Sequence, residues 1–260
     1  MFRHFSGYPE ATFLAWGWRV PFLLSFILLA VGLWIRHRLA ESPVFARLKS
    51  RKGEARMPVI EVFRRYMKPM LLATGARLAE NGLFYIFTTF SLTYVATQLK
   101  LDRNMALNGL LVASACSLFT VPAWGALSDR LGRRPVYLWG AVAGGILAFP
   151  FFWLLEAGRP APIWLAFVLA ITLGHDAMYA PQASFFAELF PTRVRYSGAS
   201  LASQLGSVFS GGLSPLIATA LLARTGGKSW PVSLYMVALV LITVVSVWLT
   251  RETHRQAIDD

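Results

Sequence analysis

The sequence Gly125-Ala-Leu-Ser-Asp129-Arg130-Leu-Gly132-Arg133-Arg134-Pro135 decides the fold, because it is a short charged turn between two long apolar runs. Neither the run before it, residues 105–127, nor the run after it, residues 136–155, contains a charged residue. An α-helix rises about 1.5 Å per residue, so about 20 apolar residues cross a hydrocarbon core roughly 30 Å thick. The two runs are therefore predicted to be antiparallel transmembrane helices joined at one membrane face.

The composition of the whole chain agrees with this prediction. Its 260 residues are 56% hydrophobic and 15% charged, and the mean hydropathy is +0.52. An ordinary soluble domain is about 45–50% apolar and about 25% charged, so the composition indicates an integral membrane protein. The net charge of +12 does not indicate a nucleic-acid partner, because the basic residues lie in short loops between apolar runs. Membrane lipid is the predicted partner of these loops.

Seven apolar runs are long enough to span a membrane, so the predicted fold is an all-α integral membrane protein. The predicted spans are residues 16–35, 69–95, 105–127, 136–155, 162–189, 197–222 and 230–250. This divides the chain into an outer N-terminus with the first span (1–35), a basic cytoplasmic loop (36–68), a six-helix bundle (69–250) and a cytoplasmic tail (251–260). In the basic loop, four side chains at helical spacing predict an amphipathic helix on an anionic membrane surface: Val59, Val62, Phe63 and Tyr66.

The distribution of basic residues predicts the orientation of the chain. With seven spans, the segments on the side of the signature turn hold 17 Lys and Arg, and those on the opposite side hold six. Loops rich in Lys and Arg face the cytoplasm. We therefore expect the chain in the cytoplasmic (inner) membrane, with its N-terminus outside and its C-terminus inside.

The second span carries charged residues near its middle. Arg77, Glu80, Asn81 and Tyr85 lie on one helical face, at spacings of three, four and eight residues. A charged group in mid-membrane costs about 2.5–3.5 kcal/mol on insertion scales, so it persists when it is paired or faces water. One hypothesis makes this face a wall of a substrate cavity, where Arg77 holds an anionic group. The alternative is an Arg77–Glu80 pair that neutralises itself and holds the helix to a neighbour.

The fifth span has a second polar face, formed by His175, Asp176, Tyr179 and Gln182. A histidine beside a carboxylate predicts a proton-coupling site, because imidazole titrates near neutral pH. Tyr179 and Gln182 would then belong to the substrate site. The alternative is a satisfied His–Asp pair inside the bundle. If the functional hypothesis is right, the polar faces of the second and fifth spans line one concave surface.

Several motifs resemble those of a known transporter family. The charged turn at residues 125–135 resembles the signature loop of the major facilitator superfamily, and the matching residues are Gly125, Asp129, Arg130, Gly132, Arg133 and Arg134. The charge of the turn alone would equally fit a cytoplasmic loop without a further role. Three other stretches resemble the metabolite:proton symporter branch of that superfamily, whose members carry dicarboxylates, citrate, shikimate, or proline and betaine. They are Glu41-Ser-Pro-Val-Phe45, Arg77-Leu-Ala-Glu80-Asn81 and Glu188-Leu-Phe-Pro-Thr-Arg193-Val-Arg195-Tyr196-Ser-Gly198.

This resemblance implies an arrangement of helices and a set of contacts. The seven spans resemble helices six to twelve of the family's twelve: the C-terminal half of the fold and one preceding helix. The first five helices have no counterpart here, which leaves open a truncated gene, a wrong start codon or a fragment. The resemblance also implies an ion pair between Arg133 and Glu188. It places the partner of Asp129 in the opposite half.

The implied function is proton symport of small organic metabolites, such as dicarboxylates or zwitterions, as part of a longer carrier whose other half is absent here or is an unknown partner chain. The alternative is a truncated remnant that does not transport and has only a structural role. On either hypothesis we expect that these 260 residues alone do not transport. The sequence contains no nucleophile elbow, metal-ligand spacing or phosphate-binding glycine loop, so no enzyme activity, metal or cofactor is predicted.

Overall fold

The computed structural model describes residues 15–38 and 57–253, and in those residues it contains helices and no strands. The chain divides into two compact units, Met1–Lys52 and Gly53–Asp260. In the first unit, a 3₁₀ turn at Gly17–Arg19 leads into α1, Val20–Arg38. Its apolar side chains, such as Phe22 and Leu28, are exposed within the unit, as expected of a helix that faces lipid.

The second unit contains seven helices in its described part. They are α2, Pro58–Arg65; α3, which runs through Met67–Tyr85, a π-helical turn Ile86–Phe90 and Ser91–Thr97; α4, Arg103–Leu131; α5, Arg133–Glu156; α6, Pro160–Glu188; α7, Arg195–Arg224; and α8, Trp230–Trp248. Two further π-helical turns interrupt α6 at Ala170–His175 and α7 at Val208–Gly212. Single π turns inside α-helices occur frequently at functional sites.

Local sequence explains several helix boundaries. Asp102 caps α4, because its Oδ1 accepts a hydrogen bond from the amide of Asn104 at 2.9 Å. Gly132 separates α4 from α5 with φ +109°, a conformation that favours glycine. Proline stands in the first turn of α6 and of α8, where its missing amide hydrogen is not needed. The signature turn, residues 125–135, therefore contains the boundary between two long helices.

Six of the described helices are long and apolar enough to cross a membrane. They are Gly17–Arg38, Arg103–Leu131, Arg133–Glu156, Pro160–Glu188, Arg195–Arg224 and Trp230–Trp248. The remaining predicted span corresponds to α3, whose 31 residues also exceed a bilayer core in length. α3 is more polar than the others because it carries Arg77, Glu80 and Asn81. It packs most closely against α7 and α8, so its polar groups are turned toward other helices of the unit.

The predicted amphipathic helix corresponds to α2. Val62 is buried, whereas Val59 and Phe63 are exposed. Arg193, in the turn between α6 and α7, donates a hydrogen bond from Nη2 to Glu61 Oε2 at 2.9 Å, which ties α2 to the end of the bundle that carries the signature turn. Residues 39–56 of the basic loop, including the 41–45 motif, lie outside the described residues, as do residues 1–14 and 254–260.

The helices of the second unit pack through aromatic clusters and close glycine contacts. Phe87, Phe151 and Phe167 form part of a buried aromatic cluster between α3, α5 and α6. α5 and α6 approach closely at Gly140, where a Cβ would lie 2.8 Å from the backbone nitrogen of Met178 and 2.9 Å from the carbonyl oxygen of Gly174. Small residues permit such approaches between membrane helices. The contact lies beside the π turn of α6, which ends at His175.

Candidate functional site

Arg77 and Glu80 on α3 form a buried ion pair. Arg77 Nη1 lies 2.9 Å from Glu80 Oε2, and the Glu80 side chain is only 3% exposed. Arg77 also reaches two other helices: Nη1 donates to Gln182 Oε1 on α6, and Nε donates to Ser207 Oγ on α7 at 3.3 Å. The guanidinium group is therefore shared between α3, α6 and α7, and the pair is not confined to one helix.

His175 lies between two carboxylates. Its Nε2 is 3.3 Å from Glu80 Oε1 on α3, and its Nδ1 is 3.1 Å from Asp176 Oδ1 on its own helix. The imidazole ring is held between Phe84, at 4.6 Å between ring centroids, and Tyr179, at 5.2 Å. These contacts join the predicted polar faces of the second and fifth spans at one point.

Asp176 and Gln182 complete this group of side chains. Asp176 is buried, and its Oδ2 accepts a hydrogen bond from Thr120 Oγ1 on α4 at 2.5 Å. The side-chain amide of Gln182 donates to Glu80 Oε2 at 3.1 Å and to the Tyr137 hydroxyl on α5 at 2.9 Å. We call Arg77, Glu80, His175, Asp176 and Gln182 the charge cluster. In the described residues it links α3, α4, α5, α6 and α7.

Two clefts flank Tyr179 and give access to this region. One, of about 430 Å³, lies between α6 and α7, and its polar lining consists of Tyr179, Gln182, Ser200, Ser203 and Gln204. The other, of about 350 Å³, is lined by Thr88, Ser114, Ser117, His175, Asp176 and Tyr179 together with apolar side chains. Ser200, Ser203 and Gln204 were not predicted as site residues, since small and polar side chains on a membrane helix give the same pattern whether they pack against a neighbour or line a cleft.

Asn81 and Tyr85 lie beside the charge cluster. Both side chains rest against Gly211 in the π turn of α7, where a Cβ would lie 2.1 Å from Asn81 Oδ1 and 2.9 Å from Tyr85 Cε2. Asn81 Oδ1 is buried without a hydrogen-bond partner among the described residues. Glu80 and Phe84 instead contact His175 on α6, and Arg77 reaches both α6 and α7. The polar stripe of α3 is thus wide enough to face two neighbouring helices.

The ion pair predicted between the signature loop and the end of α6 is present. Arg133 Nε lies 3.7 Å from Glu188 Oε1, a charge contact too long for a hydrogen bond. Arg133 Nη1 also pairs with Asp129 and donates to Ser128 Oγ at 2.8 Å. Asp129 and Arg130 are exposed, as Gly125 partly is. The loop is therefore held at Arg133, while its acidic residue remains accessible.

Glu252 holds the start of α5, a role that the sequence analysis did not predict. Its Oε1 accepts from the amide of Arg133 and its Oε2 from the amide of Arg134, both at 3.0 Å. A Cβ on Gly132 would lie 2.6 Å from Glu252 Oε2, so glycine is needed here for space as well as for its positive φ. The next residue, Thr253, donates to Glu188 Oε2. A carboxylate at a helix N-terminus satisfies free amides and complements the helix dipole.

We predict that Glu252→Gln lowers the free energy of unfolding of the purified chain by about 1 kcal/mol, because an amide offers one acceptor oxygen and no charge to the two backbone donors. Thermal or denaturant unfolding in detergent measures the change. Asp102→Asn is the matched control, since asparagine caps a helix as well as aspartate and should leave stability unchanged. Equal stabilities of Glu252→Gln and the unmodified chain would contradict the capping role.

No three His, Cys, Asp or Glu side chains within residues 15–38 and 57–253 are grouped so that they could hold a metal ion. The site in these residues is thus built from ion pairs, hydrogen bonds and aromatic contacts. Such a site offers titratable groups and hydrogen-bond donors and acceptors to a charged solute.

The chain is similar in sequence to several known proteins. The chain is 37% identical over 250 residues to the shikimate transporter of Escherichia coli K12, a match that covers 95% of this chain and 57% of that protein. It is 33% identical over 256 residues to the inner membrane metabolite transport protein YhjE of the same organism, covering 96% of this chain and 57% of YhjE. The proline/betaine transporter of that strain is 31% identical over 256 residues, covering 95% and 51%.

The chain thus spans little more than half the length of these curated relatives. All three are named as transport proteins and none as an enzyme, and the metabolites in two of the names are those of the branch that the motifs resemble. No solved structure matches the chain. The family model described as Major Facilitator Superfamily matches residues 6–211 and 114–259. The chain is an integral membrane protein that belongs to the Major Facilitator Superfamily.

Proposed function

We propose that the chain supplies the substrate- and proton-binding helices of a secondary transporter that moves small organic anions or zwitterions with protons across the cytoplasmic membrane. The names of the relatives support transport of this substrate class. The observation that carries the proposal is the position of His175 between Glu80 and Asp176, with one ring nitrogen facing each carboxylate.

The geometry around His175 favours a bound proton. A neutral imidazole has one N–H donor and one acceptor nitrogen, so it can donate to only one of two carboxylates. The other nitrogen would then direct its lone pair at a carboxylate oxygen. With both nitrogens protonated, His175 donates to Glu80 and to Asp176 at once. Protonation also balances the charges, because Arg77 alone cannot neutralise two buried carboxylates in a medium where unpaired charge is costly.

Arg77 is the proposed binding group for an anionic substrate. A guanidinium presents a planar fork of donors that matches a carboxylate. Arg77 is 18% exposed in its side chain, and Gln182, to which it donates, lines the cleft between α6 and α7. A substrate carboxylate that enters this cleft would compete with Glu80 for Arg77.

This competition provides a coupling mechanism. While Glu80 is ionised, it holds Arg77. When the proton moves from His175 Nε2 to Glu80 Oε1, which lie 3.3 Å apart, the neutral carboxyl group releases Arg77 to the substrate. Binding of one ligand thus favours binding of the other, and the coupling is reciprocal.

The same site accommodates a zwitterion. Its carboxylate would pair with Arg77, and its cationic group would lie over an aromatic ring. Tyr179 is 51% exposed and belongs to both clefts, while one face of its ring stacks on His175. A cation over an exposed aromatic face gains about 0.5–1 kcal/mol. We therefore propose Tyr179 as the residue that distinguishes zwitterions from simple dicarboxylates.

Alternating access requires a second helical body that moves against this one across the shared site. α4 and α7 offer apolar surfaces for such a contact: Leu118 and Phe119 on α4 are 74% and 77% exposed. We propose that these surfaces meet the remainder of the carrier. In the proposed orientation, the signature turn and α2 lie on the cytoplasmic side, the N-terminus lies outside and the C-terminus lies inside.

The proposal is tested by uptake of radiolabelled dicarboxylates, shikimate and betaine into proteoliposomes with an inward proton gradient. One preparation contains these 260 residues alone, and the other contains them co-expressed with the first five helices of the E. coli shikimate transporter. We expect gradient-dependent accumulation in the second preparation and none in the first. Absence of uptake in both would contradict transport by this assembly, whereas uptake by the chain alone would show that no further helices are needed.

A further inference from the structure

A third cleft, of about 320 Å³, lies at the end of the bundle that carries the signature turn, between the start of α3 and the ends of α6 and α8. Leu72, Leu189 and Leu249 form its apolar wall. Its polar lining consists of Lys68, Glu188, Thr250, Arg251 and Thr253. The cleft contains no member of the charge cluster, so it is separate from the proposed substrate site.

The charges of this cleft favour an anionic ligand. Lys68 and Arg251 are exposed, and neither forms an ion pair with any of the described residues. The carboxylate of Glu188 is already engaged, since Arg133 lies 3.7 Å from Oε1 and Thr253 donates to Oε2. Within residues 15–38 and 57–253, both cations thus lack an acidic partner, while the carboxylate of Glu188 in the lining has partners of its own.

The position of the cleft favours a lipid over a solute. Trp248, which is 65% exposed, lies three residues before Arg251, and exposed tryptophan at a helix end is typical of the membrane–water interface. α2 adds exposed Arg64 and Arg65 a few residues before Lys68. The cleft therefore has basic groups at headgroup level and an apolar wall on the side of the hydrocarbon core. Basic pockets between membrane helices on the cytoplasmic side suit anionic headgroups.

We propose that this cleft binds an anionic phospholipid. Lys68 and Arg251 contact the phosphate, and Leu72, Leu189 and Leu249 contact the first part of an acyl chain. A lipid bound here joins α3 to α8 beside Glu188 and Thr253, the residues that connect α6 and the tail to the signature loop. Its headgroup would thereby stabilise the same end of the bundle as Arg133 and Glu252.

Thermal unfolding of the purified chain in detergent tests the proposal with three additives: phosphatidylglycerol, phosphatidylcholine and inorganic phosphate. We expect the midpoint to rise with phosphatidylglycerol and to stay unchanged with the other two. The variant Lys68→Gln/Arg251→Gln should lose that rise, each variant being compared with its own midpoint without lipid. Lys68→Arg/Arg251→Lys, which retains both charges, should keep the rise and shows that the region tolerates substitution.

Arg224→Gln/Lys228→Gln is the matched control, because it removes two exposed cations at the opposite end of the bundle and should keep the full rise. Three results would overturn the proposal. They are an equal rise with inorganic phosphate, which would indicate a site for a soluble anion; an unchanged rise in Lys68→Gln/Arg251→Gln; and no rise with phosphatidylglycerol in the unmodified chain.

Discussion

Replacing Arg77 with alanine is expected to abolish substrate uptake in the assembled carrier and to lower the free energy of unfolding by about 3–5 kcal/mol. The substitution leaves Glu80 and Asp176 buried with one titratable partner, His175, between them. It also removes hydrogen bonds to α6 and α7. Uptake in proteoliposomes and unfolding in detergent measure the two effects separately.

The controls for Arg77 separate its charge from its geometry. Arg77→Lys retains the charge without the planar fork, so it should recover most of the stability but little of the uptake. The double variant Arg77→Ala/Glu80→Ala should be more stable than Arg77→Ala, because it leaves one buried carboxylate beside His175 instead of two. Arg103→Ala, at an exposed site at the start of α4, should change neither quantity. Full uptake by Arg77→Ala would exclude Arg77 as the substrate-binding group.

His175→Gln is expected to separate substrate movement from the proton gradient. Glutamine can still donate one hydrogen bond in place of His175, but it cannot carry a proton to Glu80. The variant should therefore exchange labelled for unlabelled substrate across the membrane and should fail to accumulate it against a gradient. Counterflow and gradient-driven uptake in the same proteoliposomes measure this difference.

The matched control for His175 is His37→Gln, which removes an exposed histidine near the end of α1 and should leave both activities intact. Accumulation by His175→Gln at the rate of the unmodified chain would contradict the proton-coupling role. Loss of counterflow together with accumulation would assign His175 to substrate binding instead.

The sequence predicted the helices well because apolar runs between charged turns have few other structures available in lipid. The predicted spans 105–127 and 136–155 lie within α4 and α5. The three π turns could not be predicted, because an extra residue in one turn does not change the length or the polarity of a run. These turns matter for the site, since one ends at His175 and another contains Gly211, which contacts Asn81.

Sequence spacing also predicted part of the candidate site. It placed Arg77 with Glu80 and His175 with Asp176, because residues three or four apart, or adjacent, are neighbours in any helix. It could not show that Glu80 contacts His175 across two helices, since that depends on how α3 packs on α6. Glu252 was missed for a similar reason: its partners are backbone amides 118 and 119 residues away, and no local pattern marks a carboxylate that caps a distant helix.

The most direct test of the account is the protonation state of His175, because the proposed coupling depends on an imidazolium between Glu80 and Asp176. Nitrogen-15 NMR of histidine-labelled chain in lipid bilayers, with His175→Gln used to assign the signal, reports whether one or both ring nitrogens carry a proton. The account predicts that both ring nitrogens of His175 are protonated near neutral pH, and that replacing Glu80 by Gln reduces this population. A single neutral tautomer, unaffected by Glu80→Gln, would contradict it.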